Sequence, residues 1–161
     1  MKKRLLALAL VAVGALALGK WVAGGGDATD GGSDPSLILD RLWVDQIPTR
    51  PKDTANVFVA LTREPMGIFQ STSQWKGGYE IFKYAANGSE LRLVYPQTDE
   101  KEKVKARAWK CKKRDMDYCL ELSGASRGVK QYYSQNGWEV DGASTPAQLL
   151  DRVAALAGRR N

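Results

Sequence analysis

Histidine is absent from the 161 residues of this chain. Without an imidazole, neither a Ser-His-Asp triad nor a Cys-His pair can form, and no such side chain can bind a metal ion or transfer a proton. Most hydrolase mechanisms are thereby excluded, and we predict no catalytic residue, no metal site and no cofactor. Two groups of carboxylates remain, and their places in predicted turns among lysines favour solvated loops over acid–base chemistry. They are Asp99, Glu100 and Glu102, and Asp115 and Asp117.

Cysteine is scarce, since the chain contains only Cys111 and Cys119. Their spacing is not the Cys-x-x-Cys of redox enzymes, which argues against a redox-active pair. In an oxidising compartment the two can form a disulfide, whereas in a reducing one they would be free structural thiols. The choice therefore depends on whether the chain is exported.

Long uncharged runs are limited to the start of the chain. Lys2-Lys3-Arg4 precedes the run Leu5–Gly19, which is shorter than the ~20 residues of a membrane-spanning helix. We predict that residues 1–23 form a cleaved signal peptide, with an uncleaved apolar anchor helix over residues 5–23 as the alternative. The protein is then expected in the periplasm or outside the cell, and it would touch a membrane only through an uncleaved leader. Export favours the disulfide.

Outside this leader the charge is nearly balanced. Removing Lys2, Lys3, Arg4 and Lys20 from the 24 basic residues leaves 20 against 18 acidic ones, so the net charge falls from +6 to +2. We therefore expect no specific nucleic-acid partner. Residues 24–36 are mostly Gly, Asp, Ser and Thr and predict a flexible linker. Residues 37–161 have a length suited to one domain.

The centre of the domain has the pattern of antiparallel hairpins. Asn87-Gly88 favours a two-residue turn, which would place Tyr84 opposite Leu91 and Phe82 opposite Leu93. Apolar side chains then share one face and charged side chains the other, as in an antiparallel sheet with one buried face. The apolar set is Phe82, Tyr84, Leu91, Leu93 and Tyr95.

A second hairpin is indicated by a period of two from residue 101 to residue 108, where Lys or Arg at every second position alternates with Glu102, Val104, Ala106 and Ala108. With a turn over residues 113–117, Cys111 would face Cys119 and Trp109 would face Glu121. Both cysteines would then lie on the solvent face, where a disulfide leaves the core undisturbed. The apolar face would carry Val104, Ala106, Ala108, Tyr118, Leu120 and Leu122.

The remaining strands are shorter. Residues 37–47 predict a helical turn followed by a first strand around Trp43, and the apolar run Val57–Leu61 predicts a central strand. Gly67–Trp75 has no purely apolar face, which favours an edge or surface strand over one that lines a wet cavity. Val129–Tyr133 predicts the last principal strand, with Asn136-Gly137 folding residues 138–140 back upon it.

The C-terminal segment has the signals of a helix over residues 145–158. Thr145 is the predicted N-cap, Pro146 lies in the first turn, Gln148 completes a capping box, and Gly158 ends the helix. Its apolar residues form one stripe that can pack on the outside of the sheet. They are Leu149, Leu150, Val153 and Leu156.

About eight strands joined by short turns and followed by a helix resemble the lipocalins and the small bacterial lipocalin-like barrels. Trp43 sits where that family places a tryptophan on its first strand, and Arg127 lies near the last strand, where the family has an arginine that packs over the tryptophan. The resemblance implies an all-β, antiparallel up-and-down barrel of the cell envelope that holds a small apolar or amphipathic ligand. An ordinary core aromatic is the alternative account of Trp43. The ligand-binding residues would be Trp43, Phe82, Tyr84, Leu91, Leu93, Tyr95 and Val104.

A basic stripe over residues 101–114 gives an alternative function. Its charged side chains could hold an anionic envelope polymer or a partner protein without catalysis, whereas the structural explanation is a charged strand face that prevents edge association. The candidate residues are Lys101, Lys103, Lys105, Arg107 and Trp109.

Overall fold

The structure is a computed structural model that describes residues 32–50, 52–73, 77–140 and 148. Eight antiparallel strands pair in sequence order and close into a barrel through β8 and β1, which confirms the predicted all-β architecture. A short 3-10 helix, η1 (Pro35–Leu37), precedes them. The strands are β1 (Trp43–Val44), β2 (Ala55–Leu61), β3 (Met66–Thr72), β4 (Gly77–Asn87), β5 (Glu90–Tyr95), β6 (Glu100–Lys113), β7 (Met116–Ser123) and β8 (Gln131–Ser134).

Several predictions fall outside the described residues. They concern the leader over residues 1–23, most of the linker over residues 24–36, and the helix over residues 145–158 apart from Gln148. Gln148 has helical backbone and an exposed side chain. Within the described part of the chain, no helix has the length and apolar character needed to cross a membrane.

The first hairpin has the predicted faces but a different register. Tyr84 pairs with Leu93 and Asn87 pairs with Glu90, so Gly88 and Ser89 are the central turn residues instead of Asn87 and Gly88. Gly88 has a φ of 59° and is the turn's one described residue with a positive φ, the pattern of a type II′ turn. The predicted register is therefore wrong by two residues. Because side chains alternate with a period of two, the same set still faces the core.

The second hairpin is also shifted by two residues. Trp109 pairs with Cys119 and Ala108 with Leu120, and the register changes between Lys110 and Lys113. The turn is made by Arg114 and Asp115, whose φ values of 57° and 59° fit a type I′ turn. The predicted five-residue turn and the pairing of Cys111 opposite Cys119 are wrong in register, although the predicted inward-facing set is correct.

Two further strand predictions need correction. β3 pairs with β2 on one side and β4 on the other, so it is not an edge strand. Residues 138–140 do not fold back onto β8, because Leu42 N–H donates to Trp138 O and Val140 N–H donates to Asp40 O. These residues instead extend the sheet beside the segment that leads into β1.

The closing seam of the barrel is short. β1 contributes two residues, and Val44 with Tyr133 is the pair that joins it to β8. The bonds between residues 40–42 and residues 138–140 lengthen this junction. The barrel is thus closed by its first and last strands with little overlap.

Two apolar clusters lie on opposite sides of the barrel wall. The inner cluster lies inside the barrel and includes Trp43, Phe58, Phe82 and Tyr132. The second, which we call the outer apolar face, is formed by outward side chains of β1, β2, β7 and β8 and the chain beside them. One cross-strand row of it runs Cys119, Tyr133, Val44 and Val57. Its buried members are Leu42, Val44, Val57, Val59, Met116, Cys119, Tyr133 and Val140.

Candidate functional site

The candidate ligand-binding residues all belong to the inner cluster. Each is buried and each contacts other members of that cluster. The sequence pattern therefore identifies the barrel interior correctly. The residues are Trp43, Phe82, Tyr84, Leu91, Leu93, Tyr95 and Val104.

Aromatic rings occupy the middle of the interior. The ring centroid of Phe82 lies 5.1 Å from that of Phe69 and 5.9 Å from that of Phe58, and Phe58 lies 6.0 Å from Tyr132. These distances are typical of aromatic side chains in direct contact. Phe82 also packs on the backbone of Gly67, where an added Cβ would collide with the Phe82 ring. Since eight strands make a narrow barrel, the protein's own side chains can fill its centre.

One end of the barrel is covered by the connection between β7 and β8. Arg127, in this connection, binds Glu80 through Nε at 2.7 Å and also pairs with Glu100. Its guanidinium carbon lies 4.3 Å from the Tyr95 ring centroid. Tyr95 Oη–H donates to Glu102, whose Oε2 accepts from the backbone N–H of Ser126 at 2.9 Å. The connection is thereby tied to β4, β5 and β6 across the opening.

The ionisable groups of this end stabilise one another. Burial and the hydrogen bond to Glu102 both raise the pKa of Tyr95. Burial opposes ionisation of Glu102, but the hydrogen bonds from Tyr95 and Ser126 outweigh it and lower the pKa of that carboxyl. The hydrogen bonds to Glu80 and Glu100 raise the pKa of Arg127. At neutral pH the group is therefore a cation held among carboxylates and a neutral phenol.

Arg127 does not occupy the position that the lipocalin resemblance implies. Its guanidinium packs over Tyr95, whereas Trp43 is enclosed at the other end of the barrel and donates from Nε1 to Ile38 O at 3.1 Å. The arginine nearest in sequence to Trp43 is Arg41, and it packs over Tyr118 at 4.2 Å. The expected contact between Arg127 and Trp43 is therefore replaced by two separate arginine–tyrosine contacts.

The opposite end of the barrel is covered by η1 and the residues after it. Asp34 N–H donates to Ala108 O at 2.7 Å, and Asp40 N–H donates to Ala60 O at 2.8 Å. Ile38 follows η1 and lies in the inner cluster. Tyr84 Oη–H donates to Leu61 O at 2.8 Å, and burial together with the Asp40 charge raises the pKa of this phenol to about 12.

An open cleft of about 640 Å³ lies beside η1. Among the described residues that line it, Arg41 is the cation; it is buried and binds Glu139 and, at 2.9 Å, Gln135 O. Its other carboxylate, Asp40, accepts from the backbone N–H of Thr62 at 2.8 Å. The charged groups of this cleft are thus engaged within the protein. The cleft is lined by Pro35, Ser36, Leu39, Asp40, Arg41, Thr62, Glu139 and Val140.

The predicted basic residues lie together on the outer wall. On β6, Lys101, Lys103, Lys105 and Arg107 point outward and are exposed, and alternate residues of a strand lie roughly 7 Å apart. The neighbouring strands add Lys83 of β4 and Arg92 of β5 on the same side. We call this surface the basic face, with the residues Lys83, Arg92, Lys101, Lys103, Lys105 and Arg107.

The cross-strand neighbours of the basic face neutralise it only in part. Arg92 pairs directly with Lys103 in the sheet, and Lys105 pairs with Glu90. Glu90 also binds Arg92 Nε at 2.9 Å. The hydrogen bond from Arg92 is the largest cause of the lowered pKa of Glu90, and the charges of Lys103 and Lys105 lower it further. Among the described residues, Lys101, Lys103 and Lys105 form no ion pair within 4.0 Å.

Trp109 and Cys111 lie beyond the basic face along β6, and Cys119 lies opposite Trp109 on β7. Trp109 is half-buried at the margin of the outer apolar face, and Arg107 stacks over its ring at 5.1 Å. The predicted disulfide between Cys111 and Cys119 is confirmed, with a Cα–Cα distance of 5.8 Å. The predicted exposure of both cysteines is wrong, because Cys119 is buried and Cys111 is half-buried against the outer apolar face.

The sequence reasoning missed the group around Arg127. The sequence pattern predicts Glu100 and Glu102 in a solvated turn, whereas Glu100 pairs with Arg127 and Glu102 accepts hydrogen bonds from Tyr95 and Ser126. One signal in the sequence could have revealed this group. Glu80 and Glu102 occupy the same alternate positions as the inward-facing residues of their strands, and a buried carboxylate needs a hydrogen-bond or ion-pair partner. Among the described residues, no group of three or more Cys, Asp or Glu side chains is arranged to hold a metal ion.

No family model, curated protein or solved structure matches this chain. The closed eight-strand antiparallel barrel is compatible with a lipocalin-like architecture.

Proposed function

We propose that this barrel is an interaction module that binds an anionic polymer of the cell envelope through the basic face. The observation that carries the proposal is the direct cross-strand pairing of Arg92 with Lys103, between the flanking cations Lys101 and Lys105. Like charges that face each other across a sheet destabilise it. A surface that keeps such a pair, although other outward positions carry carboxylates, has a charge pattern suited to an external anion.

The rigidity of the wall supports the same function. β6 is hydrogen-bonded to β5 and β7 along most of its length, so the spacing of its lysines is set by the backbone. A polymer with regularly placed phosphate, sulfate or carboxylate groups would meet several cations at once. Each lysine near an anionic surface contributes about 1 kcal/mol.

Export and tethering are part of the proposal. The disulfide fits an oxidising compartment, which agrees with the leader predicted for residues 1–23. The proposal also includes a helix over residues 145–158, packed on the outside of the barrel through its apolar stripe, and a relationship to the lipocalins. The supporting features are the helix signals of the sequence and the eight-strand closed topology.

Binding of a small apolar ligand inside the barrel stays a prediction. The inner cluster supplies suitable apolar side chains, but ring contacts occupy the centre and chain covers both ends. A ligand would have to displace these contacts. The geometry therefore favours the basic face, which is already accessible.

The test compares two charge-reversal variants of the full chain on immobilised heparin. The variant Lys103→Glu with Lys105→Glu removes the centre of the basic face, and we expect its affinity to fall at least about thirtyfold, since two lysines contribute about 2 kcal/mol. Retention of the original protein should also decrease as salt is raised, because exposed charges are screened. The measurement is the salt concentration at elution, followed by binding to lipopolysaccharide.

The matched control is Lys52→Glu with Arg63→Glu. Both residues are exposed and flank β2, which lies across the barrel from β6 in the closed strand order. The control makes the same change in net charge and should elute with the original protein. Equal losses in both variants would show that net charge alone causes retention, and an unchanged Lys103/Lys105 variant would refute the proposed face.

A further inference from the structure

Outward side chains are exposed on one side of the barrel and buried on the other. On β4, β5 and β6, Ala85, Arg92 and Lys103 occupy one cross-strand row and all are exposed. On β2, the outward residues Val57 and Val59 are 2% and 1% exposed. Neighbours within one sheet leave an outward side chain open to solvent, as the first row shows. A second layer must therefore cover the outer apolar face.

The described chain supplies only part of this layer. Arg114 stacks over Tyr133 at 5.2 Å and donates from Nη1 to Asp45 O at 3.1 Å. Ile47 and Trp138 pack at the margin of the face and are themselves half-buried. These residues cover only part of the face, so the rest of the layer over Val44, Val57 and Val59 comes from elsewhere.

The C-terminal segment is in the right place and has the right length. The continuously described chain ends at Val140, which is itself a buried member of the outer apolar face. A helix over residues 145–158 would be about 21 Å long, close to the roughly 23 Å of the seven-residue strand β2. Gln148 has an exposed side chain, as expected one position before the apolar stripe begins at Leu149.

We propose that the outer apolar face is the docking site of this chain's own C-terminal segment, with the stripe Leu149, Leu150, Val153 and Leu156 packed over β1, β2 and the disulfide. The occupant is the same molecule and not a second copy. The segment would begin at the end of the face where Val140 lies and cross the wall on the side opposite the basic face, leaving the basic face open.

Docking in this position would shield the disulfide. Cys119 is 1% exposed and Cys111 is half-buried at the margin of the face. A reductant reaches a disulfide sulfur only by direct attack, so its rate depends on access. Displacing the segment would therefore speed reduction, which gives a readout that does not depend on binding to any polymer.

The experiment measures thiol release from the folded, full-length protein in dithiothreitol, with Val153→Asp as the test variant. We expect reduction at least about tenfold faster than in the original protein, because loss of a buried valine favours opening by at least that factor. Val153→Ala should show a smaller increase in the same direction, which keeps the test valid if the aspartate variant fails to fold. Near-ultraviolet circular dichroism checks that the aromatic side chains as a whole stay packed.

The control variant Ala155→Asp adds the same charge on the opposite side of the predicted helix. Its reduction rate should stay within about twofold of the original, as for surface substitutions. The proposal is overturned if both aspartate variants are reduced at the original rate, or if the original protein is reduced as fast as an unfolded one. Concentration-dependent protection together with a dimer in size-exclusion chromatography would assign the face to a second copy and would equally overturn it.

Discussion

Arg127 shows how one side chain can hold a barrel end in place. It contacts Glu80 of β4, Glu100 of β6 and the ring of Tyr95 of β5, although it belongs to the connection between β7 and β8. Guanidinium groups suit this role because their planar fork can bind carboxylates while stacking on a ring. The strength of the group depends on Glu102 being ionised, since Glu102 accepts from both Tyr95 and Ser126.

Replacing Glu102 by glutamine should destabilise the protein in a pH-dependent way. The amide keeps the shape but loses charge-assisted hydrogen bonds, and we expect about 1–2 kcal/mol less unfolding free energy at pH 7. The pKa of Glu102 is lowered from its ordinary value of 4.5 on folding. Its contribution is therefore present above that value and is lost as the pH falls through the lowered pKa. Urea unfolding of both proteins between pH 7 and pH 3 measures the effect.

The difference between these two proteins should be largest at neutral pH and should shrink below about pH 4. Glu64→Gln is the control, because Glu64 is exposed in the turn between β2 and β3; it should change stability by less than about 0.5 kcal/mol. If Glu102→Gln lowers the free energy of unfolding equally at every pH, the stabilisation does not depend on ionised Glu102, and the prediction is contradicted.

The strands show why the inward and outward faces of each strand were easier to predict than its cross-strand pairs. In both central hairpins the predicted register is displaced by two residues, and every inward residue still points inward. Burial selects the parity of a strand because a shift of one residue would expose the whole apolar set. It does not select between registers two residues apart, which depend on the turn. Gly88-Ser89 and Arg114-Asp115 were missed because the Asn-Gly signal is strong and a turn with two positive-φ residues other than glycine or asparagine is uncommon.

At the level of paired strands, the contact between β3 and β4 can be tested with glycine. Gly67→Ala would place a Cβ against the Phe82 ring and the carbonyl oxygen of Val59. Because backbone atoms cannot move away as a flexible side chain can, we expect the free energy of unfolding to fall by about 1–3 kcal/mol. Gly78→Ala on β4 is the control, since a Cβ there meets nothing within 4 Å. Thermal unfolding should separate the two variants, and similar melting temperatures would contradict the close packing at Gly67.

At the scale of the whole molecule, chain lies over both ends of the barrel and aromatic side chains contact one another at its centre. η1 covers one end and the Arg127 group covers the other. The sequence predicted the eight strands, the inner cluster and the disulfide because these follow from alternation and cysteine pairing. It did not predict the Arg127 group or the outer apolar face, because both depend on how distant strands meet after closure, which local patterns do not encode.

The aromatic contacts at the centre of the barrel predict how the protein responds when one ring is removed. Phe82→Ala removes the ring at the centre of the aromatic contacts. We expect it to lower the free energy of unfolding by about 3–5 kcal/mol. The apolar void should then bind benzene or indole, as engineered apolar cavities do, whereas the original protein should bind neither. Binding can be followed by ligand-observed NMR and by the rise in melting temperature with ligand concentration.

Leu91→Ala is a milder variant for the same experiment, since Leu91 is equally buried in the inner cluster. Saturable binding of an apolar compound by the original protein would show that its interior opens to ligands. That result would favour binding of a small apolar ligand inside the barrel over binding of an anionic polymer as the function.

The short seam between β1 and β8 also bears on how the molecule is made. Val44 and Tyr133 lie far apart in the chain, yet their pairing completes the wall. Contacts between such distant residues form late, because a long loop must be closed first. Until β8 leaves the ribosome, the growing chain can therefore form only an open sheet whose two edge strands are unpaired.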